Sequence, residues 1–231
     1  MISIIMLAYN EEGNIQQMIK KTNFLCKKNF KQYEIIICDN ASTDNTLSLA
    51  KRMSKKLSSI RIFSNKKNFG KFKTLMNSVN VSKGNICAFI DSDGQLNPRD
   101  LLKVIRKINE GNDICSGKRS VRKDSFYRKI FSKFFNLFNK IIFGIKLQDV
   151  NCDLKAFKKK VFQDLNLKYS AAKWFMDIEM LARAYKQNKK ICEVKISHNH
   201  RKKGLSKINI LSIVTETLIY GLRLKKDLYI N

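Results

Sequence analysis

The chain has 231 residues and carries 46 lysines and arginines against 19 acidic residues, a formal net charge of +27. This length suits an α/β domain with a substantial core, and we predict a single domain over 1–231 because no proline- or glycine-rich linker divides it. The charge favours anionic partners: nucleic acid, lipid headgroups or nucleotides. The six cysteines are scattered, several of them inside apolar runs, without a C-x-x-C pair, which indicates reduced, buried thiols in a cytosolic protein.

Short apolar runs alternate with helical patterns through the first half of the chain. The runs predict four strands, at 3–8, 34–38, 60–63 and 86–90. Helical spacing follows each of them. This alternation predicts a mainly parallel sheet flanked by helices, in which ligands bind in the loops beyond the carboxyl ends of the strands.

Three of the predicted strands end in acidic loops: at Glu11 and Glu12, at Asp39, and at Asp91 and Asp93. Side chains two apart in an extended segment point the same way, so the last pair would aim two carboxylates at one point. Hard anionic oxygens suit Mg²⁺ or Mn²⁺ bound to a substrate phosphate. The alternative is a polar turn after a strand, because Asp, Ser and Gly are turn residues.

Two later segments combine apolar helical stripes with positive charge. The pattern over 126–145 is equally typical of an interfacial helix and of a helix that faces the core. The segment 208–222 contains one charged residue and is shorter than the roughly 20 residues that span a bilayer. We therefore predict no transmembrane helix or signal peptide, and a C-terminal amphipathic helical segment over 208–231 that lies on a membrane or docks on the rest of the protein.

Motifs in chain order resemble the inverting family 2 glycosyltransferases of GT-A fold. In the first half these are Ala8-Tyr9-Asn10-Glu11-Glu12, Asp39 through Thr46, Asn68-x-Gly70 and Asp91-x-Asp93-x-Gln95. The later series is similar to the dolichyl- or undecaprenyl-phosphate sugar transferases: Gly117-x-Arg119-x-x-Arg122, Arg128, Asp149-x-Asn151-Cys152-Asp153 and Arg201-x-x-Gly204-x-Ser206-Lys207.

The resemblance implies a GT-A (Rossmann-like) sheet in which 1–120 binds a nucleotide-sugar donor and 121–207 binds the acceptor. It implies a Mg²⁺ or Mn²⁺ cofactor held by Asp91, Asp93 and Gln95. It also implies that donor-binding residues come from the loops after the strands, with Asp39 accepting from an N–H of the base: Ala8, Tyr9, Asn10, Glu11, Glu12, Asp39, Gly70, Lys71, Asp91, Ser92, Asp93 and Gln95.

The phosphates of donor and acceptor are expected to meet basic and polar residues of the second half. Guanidinium forks match phosphate oxygens, and the resemblance assigns phosphate binding to Arg119, Arg122, Arg128, Arg201 and Lys207, with a solvated surface charge as the alternative for each arginine. Ser206 and Trp174 are also expected at the phosphate and acceptor site, and the alternative for Trp174 is a place in the core. Asp91 and Asp93 are the expected catalytic acids, with Glu179 or Asp177 as a base or acceptor contact. A phosphate acceptor is already ionised near neutral pH and needs no strong base, whereas a sugar hydroxyl does.

The expected function is inverting transfer of a sugar from a UDP- or GDP-sugar to a polyprenyl phosphate. The protein would work in the cytoplasm, peripherally associated with the inner membrane face, and the resemblance leaves room for a separate membrane-spanning subunit. A different acceptor, a glycan hydroxyl in surface polysaccharide or lipopolysaccharide synthesis, fits the same family. Two rival classes are a nucleotidyltransferase and a basic nucleic-acid-binding protein; acids at the strand ends repel a polyanion, so we expect no nucleic-acid partner.

Overall fold

The computed structural model describes residues 1–120, 126–169, 175–199 and 210–229, without the side chains of 126–134 and 210–214. Within these residues seven strands form one sheet. Their bounds are β1 Ile2–Ala8, β2 Tyr33–Asp39, β3 Ile60–Ser64, β4 Ile86–Asp91, β5 Ile114–Arg119, β6 Leu154–Lys158 and β7 Ile191–Ile196. The four strands predicted in the first half are confirmed, with ends that differ by one residue or less.

The strand order is β3-β2-β1-β4-β6-β5-β7, and every neighbouring pair is parallel except the two that involve β6. The predicted mainly parallel α/β sheet is therefore confirmed. The reversed strand β6 enters the sheet from the edge at which β4 ends, since Ile90 near the end of β4 pairs with Leu154 at the start of β6.

Helices cover both faces of the sheet. They are α1 Ile15–Asn29, α2 Thr46–Lys56, α3 Gly70–Val81, α4 Leu101–Asn109, α5 Phe126–Phe143, α6 Lys159–Asp164, α7 Met176–Lys186 and α8 Ile210–Tyr229, with a 3₁₀ turn at Pro98–Asp100. Alternation along β1 divides the core: Ile5 belongs to one buried cluster and Ile4 and Met6 to the other. The six cysteines are free thiols and five are buried, as predicted.

The register of the central strands brings the acidic loops to one edge. Ala8 at the end of β1 is level with Asp39 of β2, and Leu7 is level with Asp91 of β4. Asp39 and Asp91 therefore lie two strand spacings apart, about 10 Å, on either side of β1.

Helices α5 and α8 pack against each other as well as against the core. A side chain at Gly221 of α8 would meet Phe143 at 3.8 Å and Phe138 at 3.9 Å. Phe143 and Leu224 are buried, whereas Ile141 and Leu222 are 71% and 72% exposed. Each helix thus has a core-facing side and an exposed apolar side. The core-facing alternative for 126–145 is confirmed for the described part of α5, and an interfacial role stays a prediction. No helix among the described residues has the length and apolar character needed to cross a bilayer.

Candidate functional site at the carboxyl edge of the sheet

The loops after β1 and β2 bind each other through side chains. Asn10 has a positive φ of 55°, and its side chain both donates to and accepts from Thr43. The backbone N–H of Glu11 donates to Thr46 Oγ1 at 2.7 Å, and Glu12 Oε2 accepts from the backbone N–H of Asn45 at 3.0 Å. Asn10, Glu11 and Glu12, expected to bind the donor, therefore also hold the two loops in one arrangement beside Asp39.

Asp39 ends β2 and is fully buried. Its carboxylate accepts from the backbone N–H of Ser42 at 3.3 Å and from the Ser64 hydroxyl at 3.1 Å. Asp39 thus lies where the first two loops meet, and its contact with a donor base stays a prediction.

A network of asparagine side chains, which the sequence analysis missed, holds the start of α3. Asn40 Nδ2 donates to Asn68 Oδ1 at 2.8 Å, and Asn40 Oδ1 accepts from Asn65 at 2.9 Å. Asn68 Oδ1 also accepts from the backbone N–H of Gly70, whose φ of +79° lies in the left-handed region that favours glycine. The network places Lys71, the second residue of α3, at the acidic edge.

The D-x-D segment begins where β4 ends. Because β4 stops at Asp91, the alternation that was expected to pair Asp91 with Asp93 does not extend to the second residue. Instead a bend with Gly94 at φ +76° follows, in which Asp93 Oδ1 accepts from the backbone N–H of Gln95 at 3.0 Å. Ser92 is buried and donates to the carbonyl of Leu7, so it holds the bend rather than facing a ligand.

The surroundings of Asp91 disfavour its ionised form, although Lys71 lies nearby. Burial and the neighbouring Asp153 carboxylate raise its pKa well above the usual value, Asp93 raises the pKa further, and Lys71 opposes the shift. Its Oδ1 atom is buried and accepts no hydrogen bond. A positive charge brought to this point would stabilise the ionised carboxylate.

Lys71 bridges two carboxylates. Its Nζ lies 3.0 Å from Asp91 Oδ2 and also contacts Asp153 Oδ1. Burial alone would raise the pKa of Asp153, but the Lys71 ammonium lowers it below the usual value. Asp153 immediately precedes β6 and was quoted only as part of a motif, so its membership of the site comes from the reversed strand.

A second lysine pairs with Asp177 at the start of α7. Lys155 is fully buried, and its Nζ lies 2.8 Å from Asp177 Oδ1 and 2.5 Å from the carbonyl oxygen of Cys152. Burial raises the pKa of Asp177, with Lys155 opposing and Asp153 reinforcing the shift. Asp177 is therefore part of the same charged cluster as Asp91, Lys71 and Asp153.

Glu179 occupies a different environment from the one expected of a base. It is fully buried, Oε1 accepts from the backbone N–H of Lys168 and from Arg183, and Oε2 accepts from the backbone N–H of Tyr169. Both oxygens are thus engaged in holding the 168–169 backbone. Of the two acids expected near the acceptor, the geometry favours Asp177.

Arg119 also differs from the expectation, because its guanidinium fork is engaged by a carboxylate. Nε and Nη2 donate to the two oxygens of Asp149, each at 2.7 Å, and Nη2 reaches the carbonyl of Asn151 at 3.5 Å. The Asp149 and Asn151 positions of the motif are therefore tied to β5. This positions the segment that carries Asp153 instead of presenting a free fork to a phosphate.

The remaining phosphate and acceptor candidates lie outside the described side chains. They are Arg122, Arg128, Trp174, Arg201, Ser206 and Lys207.

The donor set at the edge fits a divalent cation that also binds a nucleotide. Within the described residues, no three His, Cys, Asp or Glu side chains are grouped to hold a metal by themselves. Asp91 Oδ1 is an unpartnered buried oxygen, and Asp93 lies two residues beyond it. Mg²⁺ usually takes one or two carboxylates and completes its shell with phosphates and water, so two carboxylates and the Gln95 amide suffice.

Residues 3–165 match the protein family described as Glycosyl transferase family 2. Similar proteins include the undecaprenyl-phosphate 4-deoxy-4-formamido-L-arabinose transferases of Proteus mirabilis (strain HI4320) and Serratia proteamaculans (strain 568), 27% and 25% identical over 223 residues. In both cases the match covers 96% of this chain and 66% of the relative, so the chain spans slightly less than two thirds of their length.

Solved structures of the same fold include glucosyl-3-phosphoglycerate synthase from Mycobacterium tuberculosis. The crystal structure of its complex with Mn²⁺, uridine diphosphate and phosphoglyceric acid has a TM-score of 0.72 and 19% identity, and the match covers 95% of this chain and 78% of that one. A complex of the same enzyme with Mg²⁺ and uridine diphosphate has a TM-score of 0.70. At this identity the likeness concerns the fold.

Proposed function

Since the chain belongs to glycosyl transferase family 2, we propose that it transfers a sugar from a UDP- or GDP-sugar to a polyprenyl phosphate, with inversion and with Mg²⁺ or Mn²⁺. The observation that carries the proposal is the unpartnered, buried Oδ1 of Asp91 beside Asp93, at the edge where three acidic loops converge. The names of the similar undecaprenyl-phosphate transferases support the acceptor class.

In the proposed donor complex, Asp39 accepts a hydrogen bond from the base, and the loops after β1 and β2 surround the ribose. Asp91, Asp93 and Gln95 hold the divalent cation. When bound, this ion neutralises charge on the departing nucleoside diphosphate. The asparagine network and Gly70 keep the start of α3 against the same edge, so the chain's own contribution is a preformed set of loops.

The acceptor is proposed to approach from the side of Asp177. An ionised phosphate oxygen can attack without a strong base, and in that case Asp177 only orients the acceptor. A second candidate acceptor, a glycan hydroxyl, is favoured by one observation: the raised pKa of Asp177 suits a general base. Asp177→Asn also breaks the ion pair with the buried Lys155, so its unfolding temperature must be measured alongside its rate. In the folded variant, kcat should fall severely for a hydroxyl acceptor and mildly for a phosphate.

We propose that the protein works at the cytosolic face of a membrane, held there peripherally. The exposed apolar side chains of the packed helices α5 and α8, here called the α5–α8 face, support this: Leu137, Ile141, Leu218, Ile219 and Leu222. Exposed basic side chains interrupt or follow them, at Lys140, Arg223, Lys225 and Lys226. Apolar and basic side chains on one pair of helices match an anionic lipid surface.

A panel assay tests the proposed reaction. Purified protein with Mn²⁺ and a short polyprenyl phosphate is incubated with a set of UDP- and GDP-sugars, and released nucleoside diphosphate and lipid-linked product are measured. We expect one donor to give both nucleoside diphosphate and lipid-linked product. Asp93→Asn should abolish both without changing the unfolding temperature. A parallel set of reactions replaces the polyprenyl phosphate with glycan acceptors. Near-normal turnover of Asp93→Asn would contradict the metal role, and product only in the glycan set would contradict the acceptor class.

A further inference from the structure

We infer that Lys71 is a built-in counter-ion for the carboxylate pair Asp91 and Asp153, whose ammonium a divalent cation must displace from Asp91 in order to bind. The inference rests on the proposed function and assigns Lys71 a role in the protein without ligand. Its Nζ lies 3.0 Å from Asp91 Oδ2 and contacts Asp153, so one positive charge serves two carboxylates.

An ammonium and a divalent cation compete for the same carboxylate. Lys71 engages Oδ2 of Asp91, while Oδ1 of the same carboxylate is buried without a hydrogen-bond partner. A divalent cation that bound this carboxylate would share it with the ammonium, and like charges at about 4 Å repel strongly even when water screens them partly. Metal binding therefore requires Lys71 to leave Asp91.

The Lys71 ammonium can move away from Asp91 and still keep a partner. Asp153, its second partner, is not among the proposed metal ligands, and it keeps the ammonium near the site after Asp91 is released. The Lys71 side chain is 27% exposed, and its four-carbon stem can rotate into that open space.

Both ends of the bridge are held by separate networks. The asparagine side chains at 40 and 68 with Gly70 place the start of α3, and the Arg119–Asp149 ion pair places the segment that carries Asp153. The bridge thus follows from two independent parts of the fold rather than from one long surface side chain finding a neighbour.

The other lysine of the cluster lacks this freedom. Lys155 is fully buried, and its ammonium is held between Asp177 and the carbonyl oxygen of Cys152. We therefore infer that the ammonium of Lys155 stays in place as a structural charge, and that the ammonium of Lys71 is the one that can move.

Titration of Mn²⁺ without nucleotide, followed by electron paramagnetic resonance of the free ion, tests the inference. Lys71→Met and Lys71→Gln should bind Mn²⁺ on the order of tenfold tighter than the natural protein, because the competing charge is gone. Lys71→Arg keeps the charge and should keep the natural affinity. Lys73→Met removes the same charge from an exposed position two residues along α3 and should also leave it unchanged.

Thermal unfolding provides a second readout. Without metal, Lys71→Met should unfold at a lower temperature than the natural protein because its carboxylates repel, and Mn²⁺ should raise its unfolding temperature by more. Mn²⁺ affinity that is unchanged or weaker in both Lys71→Met and Lys71→Gln overturns the inference while the proposed function stands. If Asp93→Asn binds Mn²⁺ as well as the natural protein, or no variant binds it, the cation site itself is refuted and the inference with it.

Discussion

Glu179 and Arg183 lie one turn apart on α7 and form a buried ion pair, with 2.9 Å between Oε1 and Nε. Arg183 also reaches Asp227 of α8 at 3.5 Å, and Asp227 accepts from the Tyr169 hydroxyl at 2.9 Å. Glu179 thus connects the 168–169 backbone, α7 and the C-terminal helix.

Glu179→Gln should therefore lower stability rather than change the chemistry. Loss of the charge weakens a buried ion pair and the bonds from two backbone N–H groups, which we expect to cost about 1–3 kcal/mol in the free energy of unfolding. Urea unfolding measures this, and kcat of the folded enzyme should stay within about threefold. A large loss of kcat at unchanged stability would restore Glu179 as the base.

Arg119→Lys should destabilise the protein and impair turnover through Asp153. A lysine cannot reproduce the two parallel hydrogen bonds to Asp149, so we expect the free energy of unfolding to fall by about 1–3 kcal/mol. Arg106→Lys is the matched control, since Arg106 pairs with Glu110 on the surface with 81% of its side chain exposed. Equal unfolding temperatures for the two variants would show that the Arg119 fork contributes nothing to the fold.

Stability should depend on pH through Glu34. Burial would raise its pKa, but bonds from the Ser3 hydroxyl, the backbone N–H of Lys83 and Arg61 lower it below the usual 4.5. A depressed pKa means that the ionised group contributes stability above pH 4.5, and that this contribution disappears as the pH falls through the lowered value. Glu34→Gln should cost about 2 kcal/mol at pH 7.

The difference in unfolding temperature between Glu34→Gln and the natural protein should become smaller below pH 4.5. Thermal unfolding from pH 3 to pH 8 measures it. The exposed pair of Glu110 with Lys107 offers a control, because Glu110→Gln should have little effect across the range. A difference that is constant with pH would mean that Glu34 stabilises by packing alone.

Binding to anionic vesicles should depend on the α5–α8 face. Leu222→Glu removes an exposed apolar contact and adds a repelling charge, which we expect to weaken binding at least tenfold if the side chain is buried in lipid. Phe24→Glu is the control, because Phe24 is equally exposed, at 74%, on α1. Co-sedimentation with vesicles of defined anionic lipid content gives the affinities, and an equal loss in both variants would indicate a general charge effect.

Local patterns predicted the four strands of the first half, because short apolar runs between segments of helical spacing are compatible with few structures other than buried strands. They also predicted the shared edge of Asp39 and Asp91, which follows from parallel strands. They did not predict β6, since strand direction is set by pairing with β4 and β5 and leaves no trace in a five-residue segment. Asp153 and Lys155 consequently escaped notice as site residues.

The partners of Arg119 and Glu179 could not be predicted for a related reason. A sequence motif shows which side chain is present but not which other group of the protein lies close enough to bind it. Arg119 meets Asp149, thirty residues away, and Glu179 meets the backbone of 168–169. Whether such a side chain binds a ligand or stabilises the fold therefore depends on its neighbours in three dimensions.

The reversed direction of β6 also limits how this scaffold can be re-engineered. Its first residues lie at the edge where β4 ends, and its side chains alternate with a period of two. Losing one residue before Leu154 would therefore turn Lys155 and every later side chain of the strand to the opposite face. Grafts from a related enzyme should therefore exchange 144–158 as one cassette of constant length, and confine insertions to connections far from that strand.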